Sequence, residues 1–112
     1  MSDHDPRIRI RHMRDHATEA LQLLGDRAID QVQADRVLQL ALVRLVEVLG
    51  EAASRVPKEF REEHPDLPWR EASSMRNLLI HGYDIIRIDL LVKTIREDLP
   101  GLVVQLDELS NQ

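Results

Sequence analysis

The sequence predicts an all-α fold, a bundle of four or five helices. Three observations lead there. Apolar residues recur at three- and four-residue spacing along most of the chain, which is the period of a helix face. Pro57, Pro65 and Pro68 interrupt that pattern in one cluster and divide the chain between stripes. Only residues 7–11, Arg-Ile-Arg-Ile-Arg, alternate in the manner of a strand, and no second such run exists to pair with them.

Taken in order, Ile10, Met13, Ala17, Leu21 and Leu24 form the first apolar stripe, with Arg7, Arg11, Arg14 and Thr18 opposite it. This is an amphipathic helix ending near Gly25. The second helix runs from about residue 34 to 56. Leu38, Leu42, Leu45, Leu49 and Val56 make its stripe, and Val37, Leu40, Ala41, Val43, Val46 and Val48 make it apolar nearly all round. Such a helix is expected to be buried on several sides, at the bundle centre or against a second subunit. Its polar exceptions, Arg44, Glu47, Glu51 and Arg55, fall on one line and read as a solvated seam of i,i+4 pairs. Residues 58–63 suit a short helix between prolines. A further helix begins near Trp69, just after Pro68. The last long helix covers roughly residues 86–98, with Ile88, Val92, Ile95 and Leu99 inward. Pro100-Gly101 is expected to break or kink it, and Leu102, Val103, Leu106 and Leu109 suggest a short terminal helix.

A chain of 112 residues, 43% apolar and 31% charged, suits one domain over residues 1–112 with a modest core. There is no Cys, which excludes disulfides and thiolate metal sites. No basic start followed by an apolar run marks a signal peptide, and no apolar stretch approaches the roughly 20 residues that span a bilayer. The expected compartment is the cytoplasm, with no membrane association. The net charge of −5 argues against a broad electrostatic grip on nucleic acid, so any such function needs a local basic site or help from symmetry. Residues 69–96 carry a balance of +2, while residues 51–66 carry −2.

The chemistry concentrates in Arg76-Asn77-Leu78-Leu79-Ile80-His81-Gly82-Tyr83. These eight residues hold an Arg, a His and the only Tyr of a chain with one Phe, one Trp and one Tyr. Trp69 lies one heptad earlier. Arg supplies a permanent forked cation suited to phosphate. His moves protons near neutral pH, with an unperturbed pKa of about 6.5. Together they suffice to cleave RNA without a metal. On a helix turning about 100° per residue, Trp69, Ala72, Arg76, Leu79 and Tyr83 share one stripe, while Ser74, Asn77 and His81 share another. Arg76 and His81 then point about 140° apart. One straight helix cannot focus Arg76, His81 and Tyr83 on a single phosphate. Gly82 ending the helix, or a second copy completing the site across a two-fold axis, would resolve this.

The segment resembles the Arg-x-x-x-x-His-x-Tyr motif of HEPN-superfamily ribonucleases, in particular the HepT-like toxins. Asn77 fits the polar residue that often follows the Arg there. Arg44-Leu45-Val46-Glu47-Val48-Leu49-Gly50-Glu51-Ala52 is similar to that family's Arg…Gly-Glu-Ala segment on its second long helix. Pro68-Trp69 precedes the motif and Leu99-Pro100 follows it as in the family. The likeness covers about residues 5–109. Val92 departs from it, since many relatives carry Trp there.

The resemblance implies a HEPN-like bundle and a homodimeric, metal-independent endoribonuclease with no cofactor. Its site residues would be Arg76, Asn77, His81 and Tyr83, in a cleft where two motif helices meet. His81 would act as general base on the 2′-hydroxyl or protonate the leaving 5′-oxygen, and Arg76 would stabilise the charge growing on the phosphate. Asn77 would bond the phosphate or orient His81, and Tyr83 would shape the site. The resemblance also implies a toxin-antitoxin pair, in which a minimal nucleotidyltransferase antitoxin inhibits the RNase by AMPylation of Tyr83. The alternative reading is a non-catalytic helical subunit that binds substrate or nucleotide for a nucleotidyltransferase, which the acidic charge favours. His12 and His16 have the i,i+4 spacing of a zinc site but lack a third ligand, and a solvated face is the better reading. Arg7, Arg9, Arg11 and Arg14 offer further RNA contacts, diluted by Asp3, Asp5 and Asp15.

Overall fold

The computed structural model describes residues 5–77 and 86–111. Seven α-helices are found among them: α1 (Pro6–Leu24), α2 (Ile29–Gln33), α3 (Arg36–Ser54), α4 (Lys58–Glu63), α5 (Trp69–Ser74), α6 (Ile88–Lys93) and α7 (Leu99–Ser110). No strand occurs among the described residues, so the all-α expectation holds. The packing is built on three long rods. α1 lies against both α3 and α7, and α5 lies against α3. Met13, Leu42, Val46, Leu49, Leu91, Ile95, Leu99 and Leu106 fill the space between them and are almost fully buried.

The expected first helix is present, with Ile10, Met13, Ala17 and Leu24 on its buried face. Ala20 joins them, and Leu21 sits at the edge of the core. Asp5 caps the start, its carboxylate accepting from the Arg7 N–H at 3.0 Å. Gly25 ends it at φ +55°, a conformation that L side chains rarely adopt. The strand-like alternation of residues 7–11 therefore belongs to a helix. Arg96 reaches across to donate to the carbonyls of Gly25 and Arg27, and Arg27 donates to the carbonyl of Leu23 at 2.6 Å. Two arginines thus close the C-terminal end of α1 by satisfying main-chain oxygens left without helical donors.

The short α2 was not legible in the apolar pattern, because five residues expose only one periodic position, the buried Val32. Gln39 holds α2 to α3, its side-chain amide donating to the carbonyls of Val32 and Gln33 at 2.9 and 3.0 Å. Asp35 caps α3 through the Leu38 N–H. α3 buries Leu38, Leu42, Val43, Val46, Leu49, Ala52 and Ala53 within the bundle and leaves Val37 77% and Leu40 48% exposed.

Pro100 does not break the last helix. A π-helical turn over Thr94–Asp98 joins α6 to α7, and the Leu99 N–H bonds to the Thr94 carbonyl, five residues back. Proline lacks an N–H and crowds the carbonyl four residues before it. The wider turn directly ahead of Pro100 removes that conflict, so the rod continues to Ser110. Val92, Ile95 and Leu99 are buried as expected, together with Leu91, Thr94, Leu102, Leu106 and Leu109, and Ile88 is only half-buried. No helix among the described residues is long and apolar enough to cross a membrane.

Candidate functional site

α5 starts directly after Pro68, where Trp69 packs edge-on against Phe60 and its indole N–H donates to the His64 carbonyl at 2.8 Å. The helix crosses α3 at Gly50. A Cβ on Gly50 would lie 2.6 Å from the Arg76 backbone nitrogen and 3.1 Å from the Ala72 carbonyl oxygen. Only a residue without a side chain allows this approach. Gly50 therefore fixes how closely the backbone of Arg76 sits on α3.

At the crossing the helix tightens into a 3₁₀ turn over Met75–Asn77. A 3₁₀ turn advances about 120° per residue, which over two residues turns Arg76 by only about 40° from its α-helical direction. Ala72 and Met75 are buried, and the Cβ of Arg76 faces Gly50 beside Ala72. The Arg76 side chain is 45% exposed, turned out beside Asn77. Arg76 thus keeps the expected stripe with Ala72 at its Cβ, and its long side chain carries the guanidinium out of that face to Glu51.

Arg76 and Asn77 line one groove with Arg9 from α1 and with Arg44, Glu47, Val48, Glu51, Ala52 and Arg55 from the second half of α3 and its end. Glu51 is central. One carboxylate oxygen accepts from Arg55 Nε at 3.1 Å, and the other lies 3.5 Å from an Arg76 guanidinium nitrogen. The hydrogen bond from Arg55, aided by the nearby charges of Arg55 and Arg76, holds the Glu51 carboxyl below the usual carboxylate range. Glu51 therefore stays ionised at neutral pH. The groove holds four guanidinium groups against two carboxylates, a local excess of positive charge in a chain of net charge −5.

The line of Arg44, Glu47, Glu51 and Arg55 is thus more than a solvated seam: it forms the wall facing Arg76. Sequence spacing placed these residues on one face but had no means of saying what lay opposite. The usable signal was the glycine at residue 50, inside an otherwise apolar helix. His81 and Tyr83, with Gly82 and its expected role in ending the helix, lie outside the described residues. Of the four expected site residues, Arg76 and Asn77 are brought together at the groove.

Other basic residues are engaged elsewhere. Arg96, counted with the positive motif segment, serves the α1 end, and Arg87 pairs with Asp89 at 3.2 Å. Arg14 bonds Asp15 and Ser110 and lies 3.6 Å from Asp107. His16 Nδ1 donates to the His12 carbonyl at 2.7 Å. No group of three or more His, Asp or Glu side chains is gathered for a metal among the described residues.

Comparison with known proteins connects this geometry to a family. The model of the ribonuclease HepT-like family matches residues 13–109. A protein of Thermococcus cleftensis named a probable ribonuclease HepT is 40% identical over 75 residues, covering 67% of this chain and 68% of its own. A Caldanaerobacter subterraneus protein named a candidate RNase is 34% identical over 104 residues, covering 93% of both chains. Another so named, from Methanocaldococcus jannaschii, is 29% identical over 107 residues, covering 96% of this chain and 98% of its own. No solved structure matches significantly. The matched span takes in α3, the Gly50 crossing and the whole Arg76–Tyr83 motif, and the chain belongs to the HepT-like ribonuclease family.

Proposed function

We propose that this HepT-like ribonuclease is a metal-independent endoribonuclease whose chemistry is carried by Arg76 and His81. The supporting observation is the seating of Arg76 and Asn77 at the Gly50 crossing, turned into a groove with an excess of guanidinium groups. Phosphate is the ligand that such a groove suits. The 2′-oxygen attacks the adjacent phosphorus as its proton passes to a base, and the 5′-oxygen leaves as it gains a proton. His81 serves as base or acid in this transfer. Arg76 stabilises the negative charge that grows on the non-bridging oxygens. Asn77 bonds the phosphate or orients His81. The products are a 2′,3′-cyclic phosphate and a 5′-hydroxyl.

In this reading two copies complete the site. The exposed Val37 and Leu40 on α3 support an apolar contact between copies. A stable dimer would bury at least about 1,000 Å² in total. The protein acts as the toxin of a pair whose antitoxin is a minimal nucleotidyltransferase. The Tyr83 hydroxyl attacks the α-phosphorus of ATP and pyrophosphate leaves, so AMP becomes linked to Tyr83. That adenylate adds negative charge and bulk beside Arg76 and His81 and competes with RNA.

The test is cleavage of a defined RNA in EDTA. The wild type should give cyclic-phosphate ends and leave an all-DNA oligonucleotide intact, since DNA lacks the 2′-hydroxyl. His81→Ala should lose a factor of about 10²–10⁴ with its helical circular dichroism unchanged. Loss of cleavage in EDTA, restored by a divalent metal, would overturn the mechanism. For control through Tyr83, incubation with the nucleotidyltransferase, ATP and Mg²⁺ should add AMP mass to the wild type and none to Tyr83→Phe. AMP on Tyr83→Phe would reject Tyr83 as the acceptor.

A further inference from the structure

Arg9 and Arg44 differ from the guanidinium groups that the fold holds in place. Arg14, Arg27, Arg87 and Arg96 are held by carboxylates, a hydroxyl or main-chain carbonyls. Within the groove, Arg55 and Arg76 share Glu51. Arg9 and Arg44 line the same groove and make no ion pair or side-chain hydrogen bond among the described residues. They come from different helices, α1 and α3, and the fold brings them to one groove. Arg44 lies seven residues, about 10 Å along the helix axis, from Glu51. One phosphate cannot bridge that distance. A polyanion with regularly spaced charges can.

We infer that Arg9 and Arg44 form a backbone-phosphate subsite, holding phosphates of the RNA strand that neighbour the one at Arg76. This rests on the ribonuclease reading and adds to it a sequence-independent grip. It also answers the objection raised by the net charge of −5: the binding charge is concentrated along one groove instead of spread over the surface. Guanidinium contacts to phosphate position the strand without reading its bases. The subsite therefore sets affinity and salt dependence, and leaves base preference to other contacts.

The experiment measures binding of a single-stranded 2′-O-methyl oligonucleotide to the full chain over a range of salt concentrations. This probe keeps every phosphate but has no free 2′-hydroxyl to attack, so binding is read apart from cleavage. Each phosphate contact contributes about 0.7 to the slope of log K against log salt for single strands. The double variant Arg9→Gln/Arg44→Gln should bind more weakly and lose about 1.4 from that slope. Arg9→Lys/Arg44→Lys keeps both charges and should retain most of the slope. Equal slopes for wild type and the Gln variant would overturn the subsite, as would a wild type that cleaves RNA but does not bind this probe. A slope that depends on Arg9 and Arg44 in a protein that cleaves nothing would support the subsite while rejecting the ribonuclease reading.

Discussion

Two regions of the molecule use arginine in opposite ways. At the C-terminal end of α1, Arg96 and Arg27 donate to main-chain carbonyls near Gly25. Along α3, Arg55 and Arg76 share the carboxylate of Glu51, and Arg9 and Arg44 face the same open groove. A carbonyl at a helix end is a fixed acceptor, and an arginine bound to it closes the fold. A half-exposed carboxylate is an exchangeable partner, and a phosphate offers the same oxygen geometry. Pairing and place together therefore separate the proposed binding charge from structural charge, since Arg14 and Arg87 are also held by exposed carboxylates but lie outside the groove. The count along residues 69–96 does not, since it includes Arg96.

The sharpest way to break this distinction is at Gly50. Gly50→Ala places a methyl carbon 2.6 Å from the Arg76 nitrogen, where backbone has to shift. Overpacking of this kind costs about 1–3 kcal/mol. Denaturant unfolding should show that loss, and RNA cleavage should fall further than stability explains, because the backbone that moves carries Arg76. A variant with wild-type stability and activity would mean that the close crossing does not govern the site.

Arg96→Ala tests the other region. It removes hydrogen bonds to the Gly25 and Arg27 carbonyls, groups at the surface that water can partly satisfy. The expected loss is roughly 1 kcal/mol in thermal or urea unfolding. The salt slope of oligonucleotide binding should not change. A fall in that slope would place Arg96 with the binding charges and erase the contrast.

The smallest effect is expected from Glu51→Gln. The folded-state pKa of Glu51 is lowered, so its contribution to stability is present above the pKa of the unfolded chain and is lost as pH falls through the folded value. Both pairs are half-exposed and contribute little. Near neutral pH the variant should melt slightly below the wild type, and the two should converge once acid has protonated Glu51. Oligonucleotide binding should strengthen, because a competing anion has gone. Weaker binding would show that Glu51 chiefly holds Arg76 in place for phosphate.

The long elements were legible because their apolar periodicity is strong. α1 ends at Gly25, and α4 lies between the prolines, as the pattern required. Three things escaped. α2 is too short to show a period. Pro100 reads as a break or a kink, and nothing local announces the π-helical turn that accommodates it. The 3₁₀ turn over Met75–Asn77, where α5 meets Gly50 and the Arg76 guanidinium reaches out to Glu51, has no signal in the apolar pattern. At the site, the identity of Arg76 and Asn77 was readable from the motif. Their neighbours were not, since Arg9, Arg44 and Glu51 meet them only through the packing of α1, α3 and α5. His81 and Tyr83 were read from the same motif and lie outside the described residues.

The most direct test is the rate of RNA cleavage by Arg76→Ala in EDTA, measured beside its unfolding curve. Removing a preorganised group that stabilises transition-state charge costs a factor of about 10²–10³. The account predicts that loss with little change in stability, because Arg76 is half-exposed and its pairing with Glu51 is loose at 3.5 Å. Cleavage at the wild-type rate by a folded Arg76→Ala protein would contradict it and move the active site away from the Gly50 crossing.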